Sequence, residues 1–291
     1  MTHGRAEAIA HGAATIVNAI ALGQGAAFGV DLWTKAEVTL TDEAAIISGE
    51  ILSDPTESTL LIEKTVSRVF QYFGVETSFG ARVKTSSNIP IARGLKSSSA
   101  AANSVALATV SALTKELDDL AVVNLGVDAA FGAKVTVTGA FDDACASYFG
   151  GVVVTDNLDR KILQRFPLPD DLTVLFHVPA KKSYTGDSDV SRLAMVKPFV
   201  QSAFEEAKKG NFWMALTLNG IVYSSALGYD NSVATEALSA GALAAGLCGK
   251  GPAVTAVVPD EKIDAVKAVM RNHEGDVIET HFNGQKARVV T

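Results

Sequence analysis

The run Pro90 to Asn103, PIARGLKSSSAAAN, constrains this chain more than any other segment, because a glycine turn feeds three serines straight into a helix of small residues. The spacing predicts that helix over Ser99 to Leu113, so small that neighbouring elements can pack close to its backbone. A helix start leaves several backbone N–H groups without internal partners and carries a partial positive charge, which together favour a bound anion. Gly94 lets the backbone come close to such a ligand, and the hydroxyls of Ser97, Ser98 and Ser99 can touch phosphate oxygens or a bound Mg²⁺. Serine is also a favoured N-cap, so simple capping of a buried helix is the alternative. Capping needs one serine, and this run supplies three behind the extra positive charge of Lys96. The stretch Pro90, Ile91, Ala92, Arg93, Gly94, Leu95, Lys96, Ser97, Ser98, Ser99 and Ala100 is therefore the candidate nucleotide-phosphate site. It is not a Walker A loop, since no GxxxxGK[ST] string occurs.

Composition narrows the class of protein. A chain of 291 residues, 48% hydrophobic with 24 glycines, is long enough for two modest domains with real cores. The most apolar stretch, Ala13 to Val30, is interrupted by Asn18, Gln24 and glycines, so it reads as strand and loop rather than as a membrane span or a signal peptide. The net charge is −7 with no basic tract, which argues against a nucleic-acid partner. Cys145 and Cys248 are the only cysteines and form no CxxC pair, as expected of cytosolic thiols; neither is given a chemical role. The five histidines show no metal-ligand spacing.

Hydrophobic patterning predicts mixed α and β structure. Strands are expected over Ala36 to Leu40, Phe79 to Ser86, Gly151 to Asp156, Leu172 to Val178 and Ala253 to Val258. Helices are expected over Ser58 to Phe73, Leu117 to Phe131, Lys197 to Lys208, Trp213 to Tyr223, Val233 to Ala245 and Lys262 to Arg271. Charge and proline rise over Asp159 to Asp171, which places a domain boundary there: residues 1–165 and 166–291.

Phosphoryl transfer relies on positioning and charge neutralisation, with a carboxylate near the acceptor hydroxyl. Asp142 and Asp143, in the run TGAFDDACASYFGG from Thr138 to Gly151, are the natural pair. Read as an extended turn, the run points adjacent side chains in different directions, so one of the two acts. An Asx turn is the alternative. Lys181, Lys182, Ser183, Tyr184, Thr185, Asp187, Asp189 and Arg192 form the richest cluster of charged and hydroxyl side chains, though such mixed charge also describes a solvated loop.

PIARGLKSSSAAAN resembles the second motif of the GHMP kinases, whose usual form is P, three variable residues, then GLGSSAA, and GLKSSSA is most similar to the archaeal-type shikimate kinases of that superfamily. The opening GAATIVNAIALGQGAAFGVD (Gly12 to Asp31) and the run from Thr138 to Gly151 resemble two further signatures of that family. AGLCGKGP (Ala245 to Pro252) resembles the last GHMP motif, which closes over the nucleotide phosphates. The resemblance implies an α+β fold in two domains, a ribosomal protein S5-like N-terminal domain and a ferredoxin-like C-terminal domain, with the active site between them. It implies ATP and Mg²⁺ as cofactors and Gly249, Lys250 and Gly251 as further phosphate ligands. In the family register Asp143 falls at the catalytic aspartate, with Asp142 one residue earlier. Ser98 and Asp128 are the implied metal ligands, a solvent-facing helix residue being the alternative for Asp128. Arg5 stands where the shikimate kinases commonly carry a lysine, and is carried over as a candidate catalytic residue.

What the resemblance implies is a cytoplasmic enzyme, monomer or homodimer, that phosphorylates the 3-hydroxyl of shikimate with ATP in chorismate and aromatic amino acid biosynthesis. Two alternatives stay open: another GHMP small-molecule kinase such as homoserine kinase, and a non-catalytic nucleotide-binding homologue. The retained aspartate pair argues against both.

Overall fold

A computed structural model describes residues 4–91, 93–136, 138–169, 171–180 and 192–290. The first half of the chain runs β1 (Arg5–Val17), β2 (Gln24–Thr41), β3 (Ile47–Ile51), α1 (Leu60–Phe73), β4 (Gly80–Ser87), α2 (Ser97–Ala112), α3 (Asp119–Gly132), α4 (Phe141–Phe149), β5 (Val152–Asp156) and β6 (Lys161–Phe166). The second half runs β7 (Leu172–Val178), α5 (Leu193–Lys208), α6 (Phe212–Leu227), α7 (Ser232–Ser239), β8 (Ala244–Leu247), β9 (Val254–Pro259), α8 (Ile263–Met270), β10 (Asp276–His281) and β11 (Arg288–Val289).

Strand β2 organises the first sheet. One edge pairs along its length with β1, while the other is shared: residues 34–41 pair with β4 and residues 24–28 with β5. Between those two pairings Gly29 and Val30 meet Phe282 and Asn283, and helices α2 and α4 pack on β1 and β2. Along β1 the sequence RAEAIA alternates as a half-buried strand must. Ala6, Ala8 and Ala10 are buried, and Arg5, Glu7 and Ile9 face the other way. The chain returns to this sheet at its end, where β11 pairs with β1. The second sheet is antiparallel in the order β10-β7-β9-β8.

One hydrophobic core joins the two sheets: Ile16, Phe28 and Val30 of the first share a cluster with Val174 and Phe176 of β7 and with Phe204 and Tyr223 of α5 and α6. The opposite face of β7 meets α7 and α8 through Leu175, Ala234 and Val266. Helix α2 is buried nearly all round, as its alanines allow, and a side chain at Gly126 of α3 would press on Ala102.

Two expectations change. The helix expected over Val233 to Ala245 ends at Ser239, and Ala244–Leu247 form strand β8. Gly241 turns the chain at φ 111°, and Gly246 lies against Gly220 of α6 so closely that a Cβ on either would strike the other's backbone. The alanines there serve close strand-to-helix packing rather than helix propensity. The extended turn expected at Asp142 and Asp143 is instead the first turn of α4.

Candidate active site

Helices α2 and α4 start side by side at one cavity of about 380 Å³. Each is entered through a left-handed non-glycine residue, Lys96 (φ 63°) before α2 and Ala140 (φ 49°) before α4, and neither has a side-chain cap. Such backbone is uncommon outside glycine and clusters at functional sites. With Lys96 as the N-cap, the serines do not serve as the cap of α2, and Ser97, Ser98 and Ser99 all line the cavity.

The two glycine loops are locked together. Gly94 (φ 95°) sits so close to the second loop that a Cβ there would lie 2.8 Å from the Cys248 carbonyl oxygen. The Cys248 thiol donates to the Gly94 carbonyl at 3.1 Å, and the Ala253 N–H donates to the Arg93 carbonyl at 3.1 Å. The Lys96 side chain passes directly over Gly249, where a Cβ would collide with its ammonium. Lys250 and Gly251 line the same cavity. Arg93 donates to the Pro179 carbonyl at 2.6 Å, tying the first loop to the end of β7.

At the cavity floor, Lys96 Nζ lies 3.0 Å from Asp143 Oδ2, both side chains largely buried. Burial alone would lower the Lys96 pKa, but the facing Asp143, reinforced by Asp142, carries it above its ordinary value, so the ammonium stays charged. Asp143 Oδ1 is buried without a hydrogen-bond partner among the described residues. Asp142 turns the other way. Its Oδ1 accepts from Asn157 Nδ2 at 2.8 Å, and its Oδ2 lies against Gly25, where a Cβ would strike it. Burial, and then the charge of Asp143, push the Asp142 pKa up to about 7. The adjacent carboxylates thus have different environments, one holding a lysine and one held by an amide.

Of the residues expected at the site, Ile91, Gly94, Lys96, Ser97, Ser98, Ser99, Asp142, Asp143, Lys250 and Gly251 come together around this cavity. Leu95 and Ala100 anchor the loop in the core below it. Ala92 and the cluster from Lys181 to Asp189 lie outside the described residues, while Arg192 sits at the start of α5.

Pro90 does not line the cavity, and Asp128 and Arg5 lie away from it. Asp128 lies on α3, accepts from Arg160 at 2.7 Å and does not line the cavity. Arg5 is on the outward side of β1, 60% exposed, and donates to Glu37 at 2.9 Å. We therefore expect Arg5→Ala to change kcat/KM by less than about threefold, since an exposed pair of this kind contributes little to the fold and touches nothing in the cavity. Steady-state kinetics against the native chain checks it.

Sequence reasoning missed Asn157, Thr15, Asn18 and Glu57. Asn157 reaches Asp142 across 15 residues only because β5 pairs with β2. Thr15, Asn18 and Glu57 line the cavity from the end of β1, the turn after it and the loop before α1.

Two interlocked glycine loops lie against a buried lysine–aspartate pair, and the class of this protein follows from residues 61–151, which match the GHMP kinases N terminal domain. The chain is 44% identical over 282 residues to the shikimate kinase of Methanosarcina mazei, covering 96% of this chain and 95% of that one. It is 43% identical over 278 residues to the shikimate kinase of Pyrococcus abyssi, covering 93% and 97%. The chain therefore belongs to the archaeal shikimate kinase family of the GHMP kinases. Among solved structures it is similar to the homoserine kinase of Cytophaga hutchinsonii, with a TM-score of 0.79 at 18% identity over 100% of this chain and 98% of that one. It is also similar to the galactokinase of Lactococcus lactis, with a TM-score of 0.77 at 14% identity over 99% and 95%. These likenesses show the shared fold, the two-domain α+β fold of the GHMP kinases.

Proposed function

We propose that this chain transfers the γ-phosphoryl group of ATP to the 3-hydroxyl of shikimate, giving shikimate 3-phosphate and ADP. The observation that carries the choice of acceptor is the full-length likeness to shikimate kinases. The buried Lys96–Asp143 pair between two glycine loops supports the reaction class.

The cavity suits a nucleotide triphosphate: the uncapped start of α2, the hydroxyls of Ser97 and Ser98, Lys96 and Lys250 gather positive charge and donors on an acidic protein. We assign residues 94–99 and 249–251 to the phosphates. Mg²⁺ prefers hard oxygen ligands, one or two carboxylates among them, and keeps several waters. We assign it to Ser98 with Glu57 as the wall carboxylate, since Asp128 is engaged by Arg160. Ser98 and Glu57 would hold the ion, which would supply charge neutralisation to the phosphates. Asp143 orients the acceptor hydroxyl through the Oδ1 that has no hydrogen-bond partner among the described residues and takes its proton, while Lys96 holds the carboxylate in place.

The same reading places the domains at residues 1–165 and 166–291, with β11 returning to the first sheet, and the enzyme in the cytoplasm as a monomer or homodimer. No helix among the described residues is long and apolar enough to cross a membrane. ADP release by the purified protein with Mg²⁺·ATP tests the proposal: release with shikimate but not with homoserine, mevalonate or galactose supports it. Release with another of these alcohols keeps the superfamily and overturns the acceptor.

A further inference from the structure

The Asp142 carboxyl poses a charge problem that the reaction as drawn does not use. Asp142 and Asp143 are 3% and 6% exposed, and Lys96 is the one cation paired to either among the described residues. A buried carboxylate without a counter-charge is costly, and the group responds by taking up a proton. Asp143 has the lysine. Asp142 has Asn157, a neutral donor that is itself buried and held in one orientation, because its Oδ1 accepts from the buried Thr155 hydroxyl at 2.7 Å. With the oxygen so engaged, the amide N–H₂ is presented to Asp142.

We propose that Asn157 is a positioning residue for phosphoryl transfer: with Thr155 behind it, it holds Asp142 against Gly25 and sets whether a second negative charge stands beside the Lys96–Asp143 pair. This rests on the phosphoryl-transfer reading of the site. With Asp142 protonated, the floor of the cavity is one neutral lysine–aspartate pair and accepts phosphate oxygens. With Asp142 ionised, the floor carries a net negative charge that repels them. The other titratable groups in the field of Asp142 are Cys145 on its own helix and Tyr223 of α6, Glu57, Lys134 and Lys250 line the same cavity, and Asp119 of α3 is engaged at the far end of α4 by Tyr148 and Lys286. Burial raises the thiol and the phenol, so neither ionises in the range where Asp142 does.

The direction of the effect follows from the hydrogen bond. An amide donor favours the ionised carboxylate, so removing it keeps the proton on Asp142 to higher pH. A hydrogen bond to a charged group corresponds to about 1 to 2 pH units of displacement. In the native enzyme, kcat/KM for ATP should fall as pH rises through the neutral range. Asn157→Leu should move that fall upward by about 1 to 2 units, Thr155→Val should move it the same way by less, and Asp142→Asn should abolish it, which separates it from the titration of ATP itself. The ¹³C carboxyl shift of Asp142, followed by NMR against pH in the native chain, Thr155→Val and Asn157→Leu, reads the same displacement without turnover. A midpoint for Asp142 unmoved in both variants overturns the proposal, as does an Asp142→Asn enzyme with the native pH profile. A native enzyme that turns over no acceptor would overturn the reaction instead, and the carboxyl titration would still decide the role of Asn157.

Discussion

Asp143→Asn lowers kcat by at least ~10²-fold and leaves ATP affinity within about threefold, as loss of a positioned base requires. The substitution keeps the shape of the side chain in the first turn of α4 and removes its ability to take a proton. Lys96 loses its 3.0 Å partner but stays near the Asp142 carboxyl, whose field also acts on it, so the cavity floor keeps its cation. The elements assigned above to the phosphates, the start of α2 and the loop at Gly249–Gly251, are untouched. Turnover measured with shikimate, alongside ATP binding by calorimetry, separates the two effects. A kcat within threefold of native would remove Asp143 from proton transfer and return the question to Asp142.

The parts of the site that were legible in the sequence are those where local chemistry and local structure coincide. A glycine turn running into serines and alanines specifies a close-packed helix, and the structure places α2 there, buried nearly all round. The start of α4 was less legible. Phe141 to Phe149 carries no Ser, Thr, Asn or Asp at the capping position and is buried on nearly every side, so neither a cap nor a polar face marks it as a helix. Arg5 shows the opposite case. The alternation in RAEAIA already sets Arg5 on the side opposite Ala6 and Ala8, and a position carried over by resemblance did not take that period into account. Asn157 had no local signal at all. Its role comes from β5 lying on β2, a pairing between segments far apart in sequence, and from a threonine two residues earlier that fixes its amide. Asp128 stands only about where the family carries a metal-binding acid, and its helix turns it to Arg160, which spacing alone does not reveal.

Lys96→Met has the larger expected effect, because it acts on stability and chemistry together. Exposed ion pairs contribute little, but the Lys96 and Asp143 side chains are only 13% and 9% exposed, and breaking a buried pair by removing one partner costs ~3–5 kcal/mol. The variant keeps the volume of the side chain over Gly249 while leaving Asp142 and Asp143 together without a cation. The Asp142 pKa, already raised by burial, then loses the opposing charge of Lys96 and lies further above that of the unfolded chain. A raised carboxyl pKa leaves stability intact at low pH and erodes it as pH climbs from the unfolded value to the folded one. The loss in Tm relative to the native protein should therefore be several degrees at pH 8 and much smaller at pH 5. Turnover should fall by at least ~10³-fold at every pH, because both the orientation of Asp143 and a charge beside the transferring phosphate are lost. Adding Asp143→Asn to Lys96→Met should recover most of the lost stability, since it removes the uncompensated charge, and none of the turnover. Thermal unfolding of the three variants at the two pH values, with kinetics on the same preparations, gives the answer: a pH-independent loss would mean that Lys96 acts through packing on Gly249 rather than through its charge.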